Sequence, residues 1–432
     1  MTTTTLPRVE RLLHRGPGGL TDPGLSGHLG LHGPLVVPPR HDPAWSEALL
    51  AEVAAAGLTG RGGGGFPAAA KWDALRRAGR RPIVVVNAME GEPASAKDRA
   101  LLAWSPHLVL DGAELVAALS GARSVVVCVA DDRDASARAV RLAADERSAA
   151  GAVREVTVRR PPARYVTGEE SALAHWLDDG DARPVLRVDK SVPLRLGRRP
   201  VLVHNAETLA QVALIARHGA AWFRGAGTED APGSTLVTVS GAVGTPGVVE
   251  VELGTPVDEV VGRCGPTGPM AGYLVGGYCG AWLAPELGST PLAPAPLARI
   301  GATLGVGIVV ALGSDSCGIA ETARITRWMA GESAGQCGPC VYGLPAIAGD
   351  LELLAAGRAD AGAMARIDER ARSVVGRGAC RHPDGVARMV RSALAVFAAD
   401  AAAHAGGRPC AGWQATSVLP FPAPPALSGV AS

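Results

Sequence analysis

Two cysteines, Cys337 and Cys340, stand in Cys-x-x-Cys spacing inside the stretch ESAGQCGPC, residues 332–340. This spacing suits a metal site or a redox dithiol, but it also occurs in ordinary turns, so the pair alone does not select among the three. Cys380 could add a third sulfur, and His382 lies two positions beyond it. These four residues could in principle make a Cys3His zinc site, although a zinc ribbon would use a second close pair.

A glycine-rich stretch, GLTGRGGGGFPAAAKW, contains residues that could hold a phosphate. Its glycines allow backbone amides to approach a bound anion, and a helix start would add the positive end of its dipole. Lys71 is one of only three lysines among 42 basic residues, which suggests a position that needs a compact ammonium. A flexible loop between domains is the alternative. The candidate residues are Gly60, Arg61, Gly62, Gly63 and Lys71.

Three further motifs bring polar residues to strand ends and helix starts: NAMEGEPASAKDR, RYVTGEESALAHWL and VLVHNAETLAQVALI. Ligands of open α/β sheets bind at the carboxyl ends of strands, so binding residues are expected there. Each motif also has a structural explanation, namely ion pairs in a solvated loop for the first and helix capping for the other two. The candidates are Asn87, Glu90, Glu92, Gly168, Glu169, Glu170, His204, Asn205 and Thr208.

The elements that must position these residues alternate between two patterns. RPIVVVNAM and SVVVCVAD read as buried strands, and HLVLDGAELVAALSG and DASARAVRLAADERSA read as helices. Strands that alternate with helices predict βαβ units and a parallel sheet covered on both faces. The segment DPAWSEALLAEVAAAGL predicts an amphipathic helix that ends at Gly57.

The pattern along the chain changes four times and predicts five parts. Residues 1–44 are rich in Gly, Pro and His and predict an irregular arm, and residues 45–230 predict the α/β domain. Short β-branched strands split by turns predict a small α+β module at 231–318. Helical spacing predicts a helical bundle at 319–405, and a tail rich in Pro and small residues, 406–432, is expected to be poorly ordered.

Composition excludes several functions. Hydrophobic residues make up 47% and charged residues 19% of 432 positions, which is typical of a globular protein. The net charge of +1 gives no field that would attract nucleic acid. The longest uncharged apolar run, 300–313, is too short to span a bilayer, and the N-terminus lacks a secretory signal, so a cytoplasmic location is expected. The remaining cysteines, including Cys128, Cys264, Cys279 and Cys410, are expected to be ordinary thiols.

Taken together and in this order, the motifs resemble the FMN-bearing, NADH-oxidising subunit of respiratory complex I and its relatives in NAD-linked hydrogenases and formate dehydrogenases, over roughly residues 45 to 400. The resemblance implies an α/β Rossmann-like FMN domain, then a small α+β ubiquitin-like (β-grasp, soluble-ligand-binding) domain, and a C-terminal helical bundle that carries a 4Fe-4S cluster. It implies flavin contacts for Gly60, Gly62, Lys71, Asn87, Glu90, Tyr165, Gly168, Glu169, Asn205 and Thr208, and NADH contacts for Phe66, Glu92 and Glu170.

The reaction that the resemblance implies is hydride transfer from NADH to the flavin, followed by single-electron steps through the cluster to another subunit. Glu92 and Glu90 are the candidate catalytic residues. Met89 replaces an aspartate of the family motif, and His204 replaces the first residue of its Asn-Asn pair. One polar contact to the flavin should therefore be missing, whereas His204 could still form a hydrogen bond.

The largest departure lies in the cluster loop, which in the family reads Ser-Cys-Gly-x-Cys-x-Pro-Cys. Here Ala334 occupies the first ligand position, so Cys337, Cys340 and Cys380 are the three thiolates left for a cube that takes four. A 4Fe-4S cluster with water, hydroxide or Ser333 on the fourth iron is favoured. A 3Fe-4S cluster, recruitment of Cys317, and no cluster at all are the alternatives.

These features predict a divergent paralogue that passes electrons from NADH to a ferredoxin-like or other redox subunit. A hetero-oligomer is expected, with peripheral association to a membrane redox protein as an option and no nucleic acid. The alternative function is a degenerate FMN-binding scaffold subunit without NADH oxidation. The two differ in whether NADH bleaches a bound flavin.

Overall fold

A computed structural model describes residues 10–13, 22–38, 41–77, 81–152, 154–187 and 192–421. The first unit is built around a five-stranded sheet with helices on its faces. Its elements are α1 (Leu25–His32), α2 (Pro43–Ala56), α3 (Ala68–Arg77), β1 (Ile83–Ala88), α4 (Lys97–Trp104), α5 (Pro106–Ser120), β2 (Ser124–Val129), α6 (Asp134–Ala149), β3 (Glu155–Arg159), α7 (Glu170–Asp179), β4 (Leu194–Leu196), β5 (Arg199–Asn205) and α8 (Ala206–Arg224).

The strands of this sheet run in the order β3-β2-β1-β5-β4, and all neighbours are parallel except β4, which pairs antiparallel with β5. The central strands are continuous apolar runs because both of their faces are covered by helices. β1 and β5 are in register, so Asn87 lies opposite Asn205 at their carboxyl ends. The predicted α/β domain with a parallel sheet is confirmed.

The predicted helix before the glycine loop is α2. Its first turn is capped by Asp42, whose Oδ1 accepts hydrogen bonds from the backbone N–H groups of Ala44 and Trp45. It ends at Gly57, which adopts the left-handed conformation that glycine reaches without a steric penalty. Leu49 and Val53 are buried against the core of the unit.

The second unit is a mixed five-stranded sheet with strand order β7-β6-β10-β8-β9. The central strand β10 is parallel to β6 and antiparallel to β8. The valine-rich strands and α9 enclose a separate apolar core. Valine is β-branched, and such residues favour strands. The elements are β6 (Ser234–Gly241), β7 (Gly247–Glu252), α9 (Val257–Gly262), β8 (Met270–Val275), β9 (Ala281–Leu283), α10 (Pro294–Arg299) and β10 (Ile308–Gly313).

The third unit consists of helices that pack around one apolar cluster, which also receives side chains from β8, β9 and β10. A single π-helical turn, Pro339–Gly343, precedes its second helix. The helices are α11 (Gly318–Gly331), α12 (Leu344–Ala355), α13 (Ala363–Val374), α14 (His382–Val396) and α15 (Ala398–Ala405). Within the described ranges, no helix combines the length and the apolar character needed to cross a membrane.

Two expectations about the ends of the chain were wrong where the structure describes them. In the arm expected to be irregular, α1 forms because long-range contacts hold it: His28 lies 2.8 Å from an Asp111 carboxylate oxygen. In the tail expected to be poorly ordered, Leu419 is buried, and the Tyr278 hydroxyl donates to the Pro420 carbonyl at 2.6 Å. Local composition predicted neither segment because the stabilising partners lie far away in sequence.

Candidate active site

The predicted binding motifs meet at the carboxyl edge of the first sheet. Asn87, at the end of β1, donates from Nδ2 to the Gly168 carbonyl at 2.8 Å. Asn205, at the end of β5, donates from Nδ2 to the Asn87 carbonyl at 3.2 Å, and its Oδ1 caps α8. The edge therefore joins three of the four predicted motifs, as expected for the ligand-binding side of a parallel sheet.

The glycine loop is the fourth motif, and its two ends are pinned together. The Gly60 N–H donates to the Phe66 carbonyl at 2.9 Å, and the Arg61 N–H donates to the Thr208 hydroxyl at 2.9 Å. Gly62 packs so closely on Asn205 that a Cβ would lie 3.1 Å from the Asn205 Cβ. The loop thus closes onto the same edge, and Phe66 projects from it with 56% of its surface exposed.

A buried ion cluster lies behind this edge. The Lys97 ammonium, 2% exposed, lies 2.9 Å from Asp98 Oδ1 and 3.0 Å from Glu207 Oε2. It also donates to Asn205 Oδ1 at 2.9 Å, while Asn205 Nδ2 donates to Asp98 Oδ2 at 2.7 Å. Burial by itself lowers the pKa of Lys97, but the two carboxylates raise it more, so Lys97 stays charged. The cluster fixes the orientation of the Asn205 amide.

Lys71 takes a more open position than Lys97. Its Nζ donates to the Val203 carbonyl at 2.9 Å and lies 2.9 Å from Glu170 Oε1, and its side chain is 27% exposed. The glycine-loop helix α3 and the start of α7 are joined by this pair. Lys71 is therefore a partly exposed cation beside the glycine loop.

His204 points away from the edge. Its Nε2 accepts from the Trp72 indole N–H at 2.7 Å, and burial, followed by the nearby Lys71 charge, holds the pKa of His204 well below its usual range. The neutral imidazole is therefore a structural partner of Trp72. Met89, which replaces the family's aspartate, is buried in the apolar cluster on the opposite face of the sheet.

Two predicted cofactor residues cap helices. Glu90 accepts from the backbone N–H groups of Asp98 and Arg99, at the start of α4, and it is a non-glycine residue at a left-handed φ of 46°. Glu169 accepts from the Ser171 and Ala172 N–H groups at the start of α7. Both carboxylates therefore hold the loops that carry their neighbours.

Glu92 is enclosed between the first and second units. Its Oε1 accepts from the Tyr278 N–H at 2.8 Å, and it is 6% exposed. Gly277 must be glycine here, because a Cβ would lie 2.9 Å from the Glu92 carboxylate and its φ is 83°. Burial raises the pKa of Glu92 to about 8, so the carboxyl group is largely protonated at neutral pH.

Tyr165 connects the sheet edge to the helical unit. Its N–H donates to Glu332 Oε2 at 2.8 Å, and its hydroxyl donates to Cys279 Sγ at 3.1 Å. Its ring meets those of Trp328 and His382 edge to face, with centroids 5.8 and 5.4 Å apart. The residue predicted to contact flavin thus also contacts the unit that carries the cluster cysteines.

The three predicted cluster ligands lie on two segments of that unit. Cys340 is buried in the π-helical turn, a feature frequent at functional sites, and its N–H donates to the Cys337 carbonyl at 3.1 Å. Burial, then the nearby Cys337 and Cys380 thiols, raises the pKa of Cys340 to about 12. The cluster loop contacts the first unit, where the Arg164 guanidinium donates to the Ser333 carbonyl at 3.3 Å.

The zinc alternative for these cysteines lacks geometric support. His382 Nε2 donates to the Met329 carbonyl at 2.8 Å, and its buried Nδ1 has no hydrogen-bond partner among the described residues. In the described part of the chain, the group of three ligand atoms that lie within 4.8 Å of one another comprises Cys317, His404 and Cys410 instead.

Several residues at the site were not predicted to be site residues, although some lie inside the quoted motifs. Asp98 accepts from the Asn205 amide and so orients it, and the Tyr278 backbone N–H donates to Glu92. The Trp72 indole N–H donates to His204. The carboxylate of Glu207 accepts from the Leu236 N–H at 3.0 Å and so ties the edge to β6. The scarcity of lysine was the one sequence signal that pointed to Lys97.

The geometry places a sheet edge lined by polar candidate residues beside a helical unit that carries three cysteines. Residues 53–214 match the Nuo51 FMN-binding domain, 236–271 the SLBB domain, and 320–404 the NADH-ubiquinone oxidoreductase-F iron-sulfur binding region. The second F-type subunit of the NADH-quinone oxidoreductases of Rhizobium meliloti is 31% identical over 369 residues, which cover 82% of this chain and 87% of the relative.

Other F-type subunits are similar to this chain over most of its length. The F-type subunit of Streptomyces coelicolor is 30% identical over 379 residues, with 84% of each chain covered, and that of Mycobacterium tuberculosis is 30% identical over 404 residues, with 89% of each covered. The crystal structure of an NAD+-reducing [NiFe]-hydrogenase in the air-oxidized state matches with a TM-score of 0.76 and 33% identity. The match covers 87% of this chain and 64% of that hydrogenase chain.

The chain belongs to the family of F-type subunits of NADH-quinone oxidoreductase. The predicted NADH dehydrogenase class, electron-transfer function and cofactors, FMN and an iron–sulfur cluster with NADH as substrate, are confirmed at this level. The alternative of a scaffold without NADH oxidation receives no support from these comparisons.

The residues present fit both groups. Gly62 to Gly65 are exposed, and no described atom lies within 4 Å of the position that a Cβ would take at Gly64 or Gly65, so a planar ligand can approach the backbone. Lys71 supplies a cation beside them. Thiols are the ligands that iron–sulfur clusters take, and the helical unit offers Cys337, Cys340 and Cys380.

Proposed function

We propose that this protein oxidises NADH at the carboxyl edge of the first sheet and delivers the electrons, through a cluster on Cys337, Cys340 and Cys380, to a redox partner subunit. The observation that carries the proposal is the position of Tyr165. Tyr165 lies three residues before Gly168 of the cofactor edge. Its backbone N–H donates to Glu332 of the cluster loop, and its hydroxyl donates to Cys279 Sγ. One residue therefore links the cofactor edge to the cluster loop.

We propose the five-part division 1–44, 45–230, 231–318, 319–405 and 406–432. The separate apolar cores of the first, second and third units support it. The strand order β7-β6-β10-β8-β9, with β6 and β10 parallel at the centre, supports a ubiquitin-like β-grasp for the second unit. The run of helices α11 to α15 supports a helical bundle for the third.

For FMN we propose the glycine loop, Lys71, Asn87 and Asn205 as the holding residues. FMN, when bound, can accept a hydride from NADH and release the two electrons singly. Lys97 fixes the Asn205 amide, and the Thr208 hydroxyl fixes the Arg61 backbone, so both polar walls of the site are preorganised. The remaining proposed flavin contacts are Gly60, Gly62, Gly63, Tyr165, Gly168, Glu90 and Glu169. His204 is proposed as a positioning residue that acts through its hydrogen bond with Trp72.

For NADH we propose Phe66, Glu92 and Glu170. The exposed Phe66 ring supports a stacking role, since an aromatic face offers an apolar platform to a nucleotide ring. The raised pKa of Glu92 supports a protonated carboxyl group that donates a hydrogen bond to a polar substrate group. Glu170 is held by Lys71 at the rim. Glu90 is proposed as the residue that orients the loop carrying Glu92.

For the cluster we propose three thiolate ligands and a fourth iron without a cysteine. Recruitment of Cys317 is disfavoured by its position at the start of α11. His382, two residues after Cys380, bonds to the Met329 carbonyl, which lies 12 residues (329 − 317) further along that helix. At about 1.5 Å per residue, this separation is about 18 Å, far more than one cube can bridge.

The proposed partners are NADH and a ferredoxin-like or other redox subunit in a hetero-oligomer, with peripheral contact to a membrane redox protein. The names of the relatives, which are subunits of NADH-quinone oxidoreductases, support this proposal. The cytoplasmic location stays a prediction from the sequence.

Anaerobic titration of the FMN-loaded protein with NADH tests the function. We expect the flavin absorbance to bleach and the cluster to become reduced, as seen by EPR. The variant Lys71→Met is the matched test of the site, because it removes an exposed cation without opening the core. Flavin retained at full occupancy in this variant contradicts the proposed binding role, and flavin that NADH never bleaches contradicts the proposed function.

A further inference from the structure

Three metal-ligating side chains that the proposed electron path does not use converge at the base of the helical unit. Cys317, His404 and Cys410 each offer one ligand atom, and these three atoms lie within 4.8 Å of one another. Cys317 and His404 are buried, and Cys410 is half-buried. They come from the start of α11, the end of α15 and the C-terminal segment, so the fold rather than a local motif brings them together.

The histidine is oriented as a metal ligand would be. His404 Nδ1 lies 2.9 Å from the Ala355 carbonyl oxygen, which can only accept, so Nδ1 carries the proton. Nε2 is therefore the unprotonated nitrogen of the neutral ring, and it lies 3.8 Å from Cys317 Sγ. A ring whose second N–H is bound to a backbone carbonyl is the usual arrangement around a metal-bound histidine.

The cysteines are equally well held. Cys317 caps α11, and its Sγ accepts from the Ala320 N–H at 3.3 Å, which fixes the side chain at the start of the helix. The Cys410 N–H donates to His404 Nε2 at 3.1 Å, which brings the Cys410 side chain to the same place. A bound ion would replace this hydrogen bond at the single lone pair of Nε2. Next along the chain, Gly412 packs directly on the Asp315 carbonyl and the Cys317 amide, where a Cβ would clash.

The segment that carries Cys410 is fastened to α11 at further points. Arg324 donates to the Ala415 carbonyl at 2.6 Å, and the Ser417 hydroxyl donates to Glu321 Oε2 at 2.6 Å. The third ligand is thus fixed by the same helix that presents the first. The three ligands lie on mutually bonded segments, so closing around an ion requires mainly that the Cys410 N–H leave His404 Nε2.

We propose that Cys317, His404 and Cys410 bind one zinc ion, separate from the iron–sulfur cluster. Two thiolates and one imidazole suit a soft or borderline d10 cation, and the fourth tetrahedral position is left for water or a further donor. The ion joins the C-terminal segment to the start of α11. It carries no electrons, so it acts by fastening the segment whose Pro420 carbonyl receives the Tyr278 hydroxyl.

Metal analysis of the full-length protein, purified anaerobically, tests this inference. We expect about one zinc per chain after incubation with Zn²⁺ and desalting, and a zinc K-edge absorption spectrum with two sulfur ligands at about 2.3 Å and nitrogen at about 2.0 Å. Cys317→Ser and Cys410→Ser should each lose the zinc while flavin and iron stay at wild-type levels. Cys380→Ala should do the reverse, with iron lost and zinc retained.

The two sets of variants should lose different metals, zinc in one set and iron in the other, and this difference separates the zinc site from the electron path. Wild-type protein that holds no zinc after desalting overturns the inference, and this result does not depend on any variant folding. Zinc retained in full by both serine variants also overturns it, as does zinc lost together with iron in Cys380→Ala. Flavin bleaching by NADH can succeed or fail independently of all three results.

Discussion

The carboxyl edge of the first sheet and the cluster loop differ in how they hold their functional groups. At the edge, Asn205 bonds to Asn87, Lys97 and Asp98, so each polar side chain is fixed by another. In the cluster loop, Cys337 and Cys340 stand on a short turn as free thiols, and the loop is bonded to the first unit through Arg164, Tyr165 and Pro184.

This difference in how the functional groups are held predicts which substitutions each region tolerates. A preorganised edge loses both its shape and its ligand when one buried partner is removed, because the remaining charges are left unpaired. Removal of a thiol from the loop should chiefly remove the metal, because the helices beside it pack around their own apolar cluster. The predicted loss of a ligand at Ala334 fits the second behaviour, since Ala334 lies in the loop and not in the edge.

Lys97→Met should have the largest effect. It leaves the Asp98 and Glu207 carboxylates buried without their cation, which should lower the free energy of unfolding by about 3 to 5 kcal/mol and abolish flavin binding. Urea denaturation followed by tryptophan fluorescence measures the first effect, and flavin content measures the second.

Lys71→Met is the matched control for that prediction. Its ion pair with Glu170 is partly exposed, so the stability cost should be only about 0.2 to 1 kcal/mol while flavin content falls. Equal losses of stability in the two lysine variants would remove the distinction between the edge and its rim.

Cys380→Ala should abolish iron binding and leave flavin content unchanged. Cys380 is only half-buried, so the substitution should cost little stability. Iron and acid-labile sulfide analysis checks the loss, with Cys128→Ala, a thiol of the first sheet's core, as the control that keeps its iron. Iron at the wild-type level without Cys380 would refute the ligand assignment.

Glu92→Gln should change how stability depends on pH. The pKa of Glu92 is raised to about 8, so its folded form binds a proton that the unfolded form releases above its ordinary value. This contribution to stability is complete below the ordinary pKa of 4.5 and is lost as pH rises towards 8, by about 5 kcal/mol in all. The variant, measured by urea denaturation between about pH 5 and pH 8, should lack this loss.

The same variant separates the two roles proposed for Glu92. Glutamine keeps an acceptor for the Tyr278 N–H, so the contact between the first and second units should survive. NADH oxidation kinetics should then change more than flavin content does. An unchanged rate in Glu92→Gln would leave Glu92 a purely structural residue.

Tyr165→Phe should have the smallest effect. It removes the hydrogen bonds that the hydroxyl makes to Cys279 Sγ and to the Glu92 carboxyl group, and it keeps the ring contacts to Trp328 and His382. The expected cost is about 0.5 to 1.5 kcal/mol in unfolding free energy, with flavin and iron both retained. Loss of either group on this change would mean that the hydroxyl, and not the ring, joins the edge to the cluster loop.

The sequence predicted the elements better than the partners of the side chains. The apolar run before Asn87 predicted β1, and Gly57 predicted the end of α2, because both depend on local patterns. Residues around Glu90 and Asn205 were predicted at the cofactor edge because polar residues at strand ends meet there in a parallel sheet.

Long-range partners could not be predicted in the same way. His204 was expected to bond toward the cofactor, yet the Trp72 indole, 132 residues away, holds it. Glu92 is enclosed by Gly277 and Tyr278 of the second unit, and the fold brings Cys410, an ordinary thiol by its sequence context, to Cys317 and His404. Spacing along the chain carries no information about such contacts.

One measurement tests the central claim most directly: flavin, iron and acid-labile sulfide content of the anaerobically purified protein, before and after addition of NADH. The account predicts one FMN per chain, bleached by NADH, together with iron and sulfide that Cys380→Ala removes and Lys71→Met does not. Protein that takes up neither FMN nor iron when both are supplied would contradict it.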